Sequence, residues 1–350
     1  MTSRWPWAEQ FGPAGTYLNT ASLGLPPRPT IEALDAVQRD WFAGRTQPAE
    51  FDALIEAARA AYARLVHVDP AAVAVGSQVS PLVGLIAASL PQGSTVLVAT
   101  GEFTSVTFPF AAQAHRGIRL IEAPLDELAE RIGPDTSVVA VSAVQSADGA
   151  RAPLAVIAAA AERHGAEVLV DLTQSAGWLD VDASRFAWTV AGAYKWLLSP
   201  RGTAFLTVRP DLLDAIVPAA AGWYAGADRW QSIYGLPLRL AADARRLDVS
   251  PGWHAWVGTA ASLAFLERIG VAARQAHALE VAAAFADAAG LEPSGSAIRA
   301  LTADDDVPGI LRSADVVAAE RAGRLRVSFH VNNTVEEARE TGLLLRGHVH

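Results

Sequence analysis

The stretch 168–206, VLVDLTQSAGWLDVDASRFAWTVAGAYKWLLSPRGTAFL, holds the residues on which the reading of this chain turns. Three short runs, Val168–Leu172, Thr189–Gly192 and Thr203–Val208, are aliphatic or β-branched and bounded by Gly, Ser, Asp or Pro, so each predicts a buried strand. Asp171 closes the first run, and Gln174 follows it by three residues. Lys195 lies just past the second run, with Gly202 ahead of the third. It is the single lysine of the chain, and the other 27 of its 28 Lys and Arg side chains are arginine. A guanidinium stays charged, whereas a desolvated amine can lose its proton and attack a carbonyl. A lone lysine kept among so many arginines points to that chemistry. Compositional drift that leaves one solvated lysine is the competing reading, and the neighbouring Asp171, Gln174 and Gly202 weigh against it.

Outward from this stretch the alternation continues. Ala72–Val75, Thr95–Ala99 and Ser137–Val144 read as further strands, and Glu50–Val66, Pro81–Leu90 and Leu154–His164 as amphipathic helices between them. Continuously apolar strands separated by helices predict an α/β fold with a mainly parallel central sheet covered on both faces. Ligands of such sheets sit beyond the carboxyl ends of the strands. Polar groups gather at those ends: Asp171, Lys195, Gly76-Ser77-Gln78, Gly101-Glu102-Phe103 and Ser146. After Leu247 the pattern changes to alanine-rich helices, Gly258–Ile269 and Val271–Ala289, followed by a strand-like segment Arg324–Val331. The expected organisation is a large domain over 30–247 and a smaller α+β domain over 248–350, with an N-terminal segment 1–29 packed on the small domain and the site.

Composition narrows the partners. With 51% apolar and 19% charged residues the chain can bury a large core, so disorder is not expected. A formal charge of −9 argues against a nucleic-acid partner. Cysteine is absent, which excludes disulfides, thiolate metal sites and a cysteine nucleophile. The most apolar helical stretch, Val271–Ala289, is interrupted by Arg274, His277, Glu280 and Asp287, so no membrane span is expected, and the N-terminus has no signal-like apolar core. A cytoplasmic protein is the default expectation. The 8 histidines show no metal-ligand spacing, and the Asp304-Asp305-Asp306 run reads as a solvated loop, so no metal is expected. Neither a phosphate-binding Walker loop nor a Gly-x-Ser-x-Gly elbow is present.

From about Tyr17 to Arg339, and most of all over 168–206, the chain resembles the class V branch of the fold-type-I pyridoxal-phosphate enzymes, the group of kynureninases and cysteine desulfurases. The resemblance implies pyridoxal 5′-phosphate as cofactor. Lys195 would hold it covalently and carry protons, and Asp171 would pair with the pyridine nitrogen and keep the ring an electron sink; a helix N-cap is the other reading of Asp171. Gln174 and Ser146 stand where the family contacts the phenolic oxygen. Ser77 and Gln78, ahead of the helix near Pro81, stand where it binds the phosphate, a place suited to an anion. Tyr194 replaces the common His before the lysine and matches kynureninases, as does Phe103, which would stack on the ring. Gly222-Trp223-Tyr224-Ala225-Gly226 and Asp248-Val249-Ser250-Pro251 resemble segments that reach the neighbouring subunit's phosphate, so Trp223 and Ser250 would complete the site in a homodimer. Arg326, in Arg324-Leu-Arg-Val-Ser, falls where the family clamps the substrate α-carboxylate. Tyr17-Leu-Asn-Thr-Ala-Ser-Leu-Gly resembles the kynureninase N-terminus, which would bring Asn19 and Ser22 to the substrate pocket. A core or surface role is the plain alternative for each of these side chains.

The expected activity is chemistry on an amino acid through an external aldimine and a quinonoid-type carbanion. The kynureninase-like details favour a lyase that cleaves a C–S or C–C bond at the β or γ carbon; a class V aminotransferase, an epimerase and a non-catalytic binding protein are the alternatives. Persulfide-type cysteine desulfuration is excluded, because it needs a cysteine acceptor.

Overall fold

The computed structural model describes residues 5–350. In chain order its main elements are β1 (Thr16–Tyr17), α1 (Arg28–Phe42), α2 (Glu50–Leu65), β2 (Val73–Gly76), α3 (Val79–Ser89), β3 (Thr95–Ala99), α4 (Thr104–Ala111), β4 (Arg119–Ala123), β5 (Val138–Ser142), α5 (Leu154–His164), β6 (Glu167–Asp171), β7 (Trp188–Gly192) and β8 (Ala204–Val208). They continue with α6 (Trp253–Ile269), α7 (Val271–Ala289), β9 (Ile298–Leu301), α8 (Val307–Ser313), β10 (Val316–Val317), β11 (Ala319–Arg321), β12 (Arg324–Ser328) and α9 (Val335–Leu345).

Seven strands form one sheet in the order β2-β8-β7-β6-β5-β3-β4. Its strands from β7 to β4 run parallel, and β8 is antiparallel to both its neighbours. Side chains alternate between the two faces. Val73, Val75, Leu97, Val139, Val170 and Phe205 pack on one side with α2, α5 and α6. Ala74, Val96, Val98, Leu169, Val190 and Leu206 pack on the other with α3 and α4. Burial on both faces is why these strands read as unbroken apolar runs. The α/β architecture with a mainly parallel sheet is as the sequence predicts.

Element ends differ from the sequence reading by small shifts. β3, α5 and α7 fall on the predicted residues, and most other ends move by one or two. Helix α6 starts at Trp253, five residues before Gly258, because Trp256 and Val257 of its first turns are already buried. Strand β4 has no counterpart in the reading. It is an edge strand with a single neighbour, and Arg119 and Glu122 are exposed, so it lacks the apolar signature of the strands beside it.

The C-terminal part is a smaller α+β unit. Strands β11, β12 and β9 form an antiparallel sheet, with α7 packed against α9 behind it. Thr334 and Glu337 form a reciprocal capping box at the start of α9. The preceding helix α6 lies along α1 and α2, beside the large sheet. The N-terminal segment crosses between the two sheets: β1 pairs in parallel with β10, and Asn19 bridges to Ser328. Among the described residues no helix is long and apolar enough to cross a membrane.

Candidate active site

The site forms where β6 and β7 end side by side. Asp171, the last residue of β6, accepts the Thr173 N–H on Oδ1 at 2.7 Å, which turns the chain sharply. The Thr173 hydroxyl then accepts the Gly192 N–H at 2.9 Å and ties this turn to the end of β7. Beyond Gly192 the chain folds into a compact loop that carries Lys195. Leu198 adopts a left-handed φ of 57°, and Ser199 N–H returns to the Ala193 carbonyl at 3.1 Å. The N-terminal segment closes over this loop. Gly24 N–H donates to the Tyr194 carbonyl at 2.9 Å, and a Cβ at residue 24 would lie 1.9 Å from the Lys195 carbonyl oxygen. Only glycine fits there.

Lys195 and Asp171 line one cavity of about 500 Å³, counting space open to solvent, together with Ser77, Gln78, Phe103 and Tyr194. The Lys195 amine lies 5.3 Å from the centre of the Phe103 ring and 5.6 Å from that of Tyr194. It makes no hydrogen bond or ion pair among the described residues. Burial brings its pKa down to about 8, and Arg326, Arg321 and Arg201 push the same way against the pull of Asp171. Burial raises Asp171 to about 6 against the Thr173 hydrogen bonds, with the buried Glu102 carboxylate adding to the rise. Both groups are therefore displaced toward their neutral forms. Tyr194 is also raised by burial, and Arg201 lies over its ring at 5.2 Å.

A second group, none of which lines the cavity, comes within electrostatic reach of Lys195 through Arg326. The amide of Gln174 is fully used: Nε2 donates to the Ala21 carbonyl at 3.0 Å and to the Ser146 hydroxyl at 2.9 Å, and Oε1 accepts from the Trp196 indole at 2.8 Å. Ser146 accepts on its hydroxyl and keeps its own proton to donate. Arg326 donates to the Ser146 carbonyl at 2.6 Å and to the Ser22 hydroxyl at 2.7 Å. Its Nε and the side-chain oxygen of Asn19 are buried without partners. Thus Ser22, Ser146, Gln174 and Arg326 are one connected cluster, and Asn19 stands beside it on the same N-terminal segment.

Trp223 and Ser250 do not line this cavity. Trp223 packs against Tyr224 and Trp230, while Ser250 lies two residues beyond Asp248, which is anchored to Arg59. The sequence reading does not single out Thr173, Arg201, Ser80 or Ser105, all of which line the cavity. Thr173 and Arg201 sit within three residues of residues it does name, so extending the rule of polar groups at strand ends would have reached them. Glu102 is a further omission as a working residue. It is buried, and accepts from Ser142 N–H and hydroxyl, Gln145 and the Phe103 N–H, which fixes where Phe103 stands. Asp304 and Asp306 lie beside His348 on the surface, at 3.6 and 3.3 Å from its Nδ1.

Pyridoxal phosphate fits this donor set. A buried amine displaced toward neutrality, a buried carboxylate, a flat aromatic ring and an uncapped α3 N-terminus at Ser77 and Gln78 meet in one cavity. An uncharacterised aminotransferase of Bacillus subtilis is 29% identical over 306 residues, 81% of this chain and 81% of its own length. Isopenicillin N epimerase of Streptomyces clavuligerus is 30% identical over 79% of this chain and 76% of its own. Kynureninases and cysteine desulfurases are further curated relatives. Among solved structures, a cystine C–S lyase in complex with cysteine persulfide superposes with a TM-score of 0.86 at 23% identity, over 96% of this chain and 98% of the other, a likeness of fold. The family model for class-V aminotransferases matches residues 17–295. A cavity built around one buried lysine and one buried aspartate, within a chain matched over that span, identifies the protein as a member of the class-V aminotransferase family and a pyridoxal-phosphate-dependent enzyme.

Proposed function

We propose that the enzyme is a lyase that cleaves a C–S or C–C bond at the β or γ carbon of an amino acid. When bound, the cofactor supplies an electron sink for the pair released at the substrate's α-carbon. Lys195 would hold the cofactor aldehyde and, once freed by substrate, take the α-proton and deliver it to the departing substituent as the bond to it breaks. Asp171 keeps the pyridine nitrogen protonated. Ser77, Gln78 and the first N–H groups of α3 hold the phosphate, with Tyr194 beside them. Phe103 packs on the ring plane. Because the Gln174 amide is spent on Ala21, Ser146 and Trp196, the Ser146 hydroxyl is the donor left for the phenolic oxygen. Arg326 takes the substrate carboxylate, with Asn19 and Ser22 along the pocket wall.

The observation that carries this reading is that the cavity has one proton carrier. Its titratable side chains among the described residues are Asp171, Tyr194, Lys195 and Arg201. Burial raises Tyr194 and Asp171 is held for the ring, so Lys195, brought down to about 8, is the group left to carry protons. A single base suits removal of the α-proton followed by loss of a substituent. Epimerisation through two opposed bases finds no second base here, although the similarity to isopenicillin N epimerase keeps it as the second reading.

We further propose a homodimer in which Trp223 and Ser250 complete the partner's site. In support, Tyr234 and Leu236 are 88% and 89% exposed, next to Ile233 and Leu238, an apolar stretch suited to cover by another copy. The test is a panel of amino acids and S-conjugates followed for keto-acid release with no amino acceptor. Sustained release supports the lyase. A stall after one half-turnover makes the enzyme an aminotransferase, and recovered substrate carrying solvent deuterium at the α-carbon makes it an epimerase.

A further inference from the structure

The hairpin β11–β12 carries more positive charge toward the site than one carboxylate can answer. Its register places Ala319 opposite Arg326 and Arg321 opposite Arg324. Alternate residues of a strand share a face, so Arg321, Arg324 and Arg326 project on the same side, with small Ala319 leaving room above Arg326. The two-residue turn between the strands, Ala322-Gly323, has φ values of 50° and 71°, the geometry of a tight hairpin turn, and it fixes this arrangement. Like charges directly across a ladder oppose pairing, so the arrangement disfavours the free hairpin.

Their partners differ. Arg324 lies 3.8 Å from Asp148. Arg326 and Arg321 have no carboxylate partner among the described residues. Both donate to the Ser22 hydroxyl, at 2.7 Å and 3.2 Å, so two guanidinium groups converge on one neutral oxygen. Arg326 is buried and Arg321 is exposed, and both lie near enough to Lys195 for their charges to act on its amine. Arg201 lies over the Tyr194 ring and lines the cavity together with Ser77. A phosphate answers Arg201, and one carboxylate answers Arg326. Arg321 is left over.

We propose that the substrate carries a second anionic group, a distal carboxylate, and that Arg321 binds it, so the enzyme prefers amino dicarboxylates. This rests on the proposed role of Arg326 as the α-carboxylate clamp. An exposed guanidinium that shares the Ser22 hydroxyl with Arg326 suits a second planar carboxylate.

The test uses the pyridoxal-phosphate-loaded enzyme and calorimetric titration with unreactive acids: succinate, glutarate and adipate as dicarboxylates, and pentanoate as the monocarboxylate. At least one dicarboxylate should bind tenfold or more tightly than pentanoate. Arg321→Gln should reduce that ligand to the pentanoate level and leave pentanoate within twofold of its wild-type affinity, while Arg321→Lys restores part of the difference. Two results overturn the proposal: no dicarboxylate outbinds pentanoate, or Arg321→Gln weakens both ligands equally, which would mean that both arginines grip one carboxylate. Arg326→Gln separates this from the underlying reading. If it abolishes pentanoate binding, the clamp stands whatever Arg321 does; if it leaves pentanoate unchanged, the clamp itself fails, and the Arg321 proposal with it.

Discussion

Two buried acid–base pairs stand near the large sheet, and they are built to opposite ends. Arg59 and Asp248 meet directly, with Nη2 to Oδ2 at 2.6 Å and Nη1 to Oδ1 at 3.2 Å. Every remaining valence is used. Asp248 also accepts the Val75 N–H, and Arg59 also donates to the Val73 carbonyl and to Glu56. Burial works against the charge of Arg59, yet Asp248 and Glu56 hold its guanidinium above its ordinary value. Burial raises Asp171 and Asp248 alike, to about 6, so the pairs differ at the cation: Lys195 shares no ion pair with Asp171 and is itself displaced toward neutrality. One pair joins α2 to the end of β2 and the segment after Leu247. The other keeps a reactive amine and an unspent carboxylate. Closeness and complete hydrogen bonding make a buried pair structural, and their absence leaves it free for chemistry.

The sharpest way to break this contrast is Lys195→Met. Turnover should fall about 10²–10⁴-fold or more, with loss of the long-wavelength absorption of the holoenzyme; an unchanged visible band would remove the amine from its assigned role. Arg59→Met should do the reverse. It leaves the buried Asp248 with only Arg229, 3.9 Å away, as a cation and should cost up to about 3–5 kcal/mol in chemical denaturation, while the variant that still folds keeps its visible band. Third, Lys195→Met should stabilise the cofactor-free protein, by up to about 3 kcal/mol, since the drop from 10.5 to about 8 is the cost of keeping the ammonium folded. The sign gives this effect a pH window. Below about 8 the wild type carries the full cost; between about 8 and 10.5 its folded amine is neutral and the gap to the variant should close. Melting curves of both proteins across that range check it. In the same range of ideas, capture of pyridoxal phosphate by the cofactor-free protein should speed up as pH rises to about 8 and then level off, read by stopped-flow absorbance. The smallest effect is expected at Thr334→Ala, which opens the α9 capping box, costs about 1 kcal/mol and leaves the visible band alone.

Much of the fold was legible because doubly buried strands write themselves as apolar runs. The strands of the stretch 168–206 and Thr95–Ala99 fall within two residues of their predicted ends. Edge strand β4 was not legible, since half-exposed positions carry Arg and Glu as a loop would. At the site, Lys195 was conspicuous by rarity and Asp171 by its place at a strand end. The contacts that hold the neighbouring Gln174 and Arg326 were not, because they join distant parts of the chain: the Gln174 amide depends on Ala21 and Trp196, and Arg326 on Ser22 and Ser146. No local pattern announces such contacts. Arg321 shows the same limit, for among 27 arginines only the hairpin register distinguishes it.

The contact at Gly24 has a practical consequence for anyone handling the protein. Its α-carbon rests against the very loop that presents the amine, and strand β1 just upstream pairs with β10 of the C-terminal unit. The stretch from Tyr17 to Gly24 is therefore a wall of the reaction chamber. A truncation that reaches Tyr17, or an insertion between it and Gly24, alters the catalyst itself.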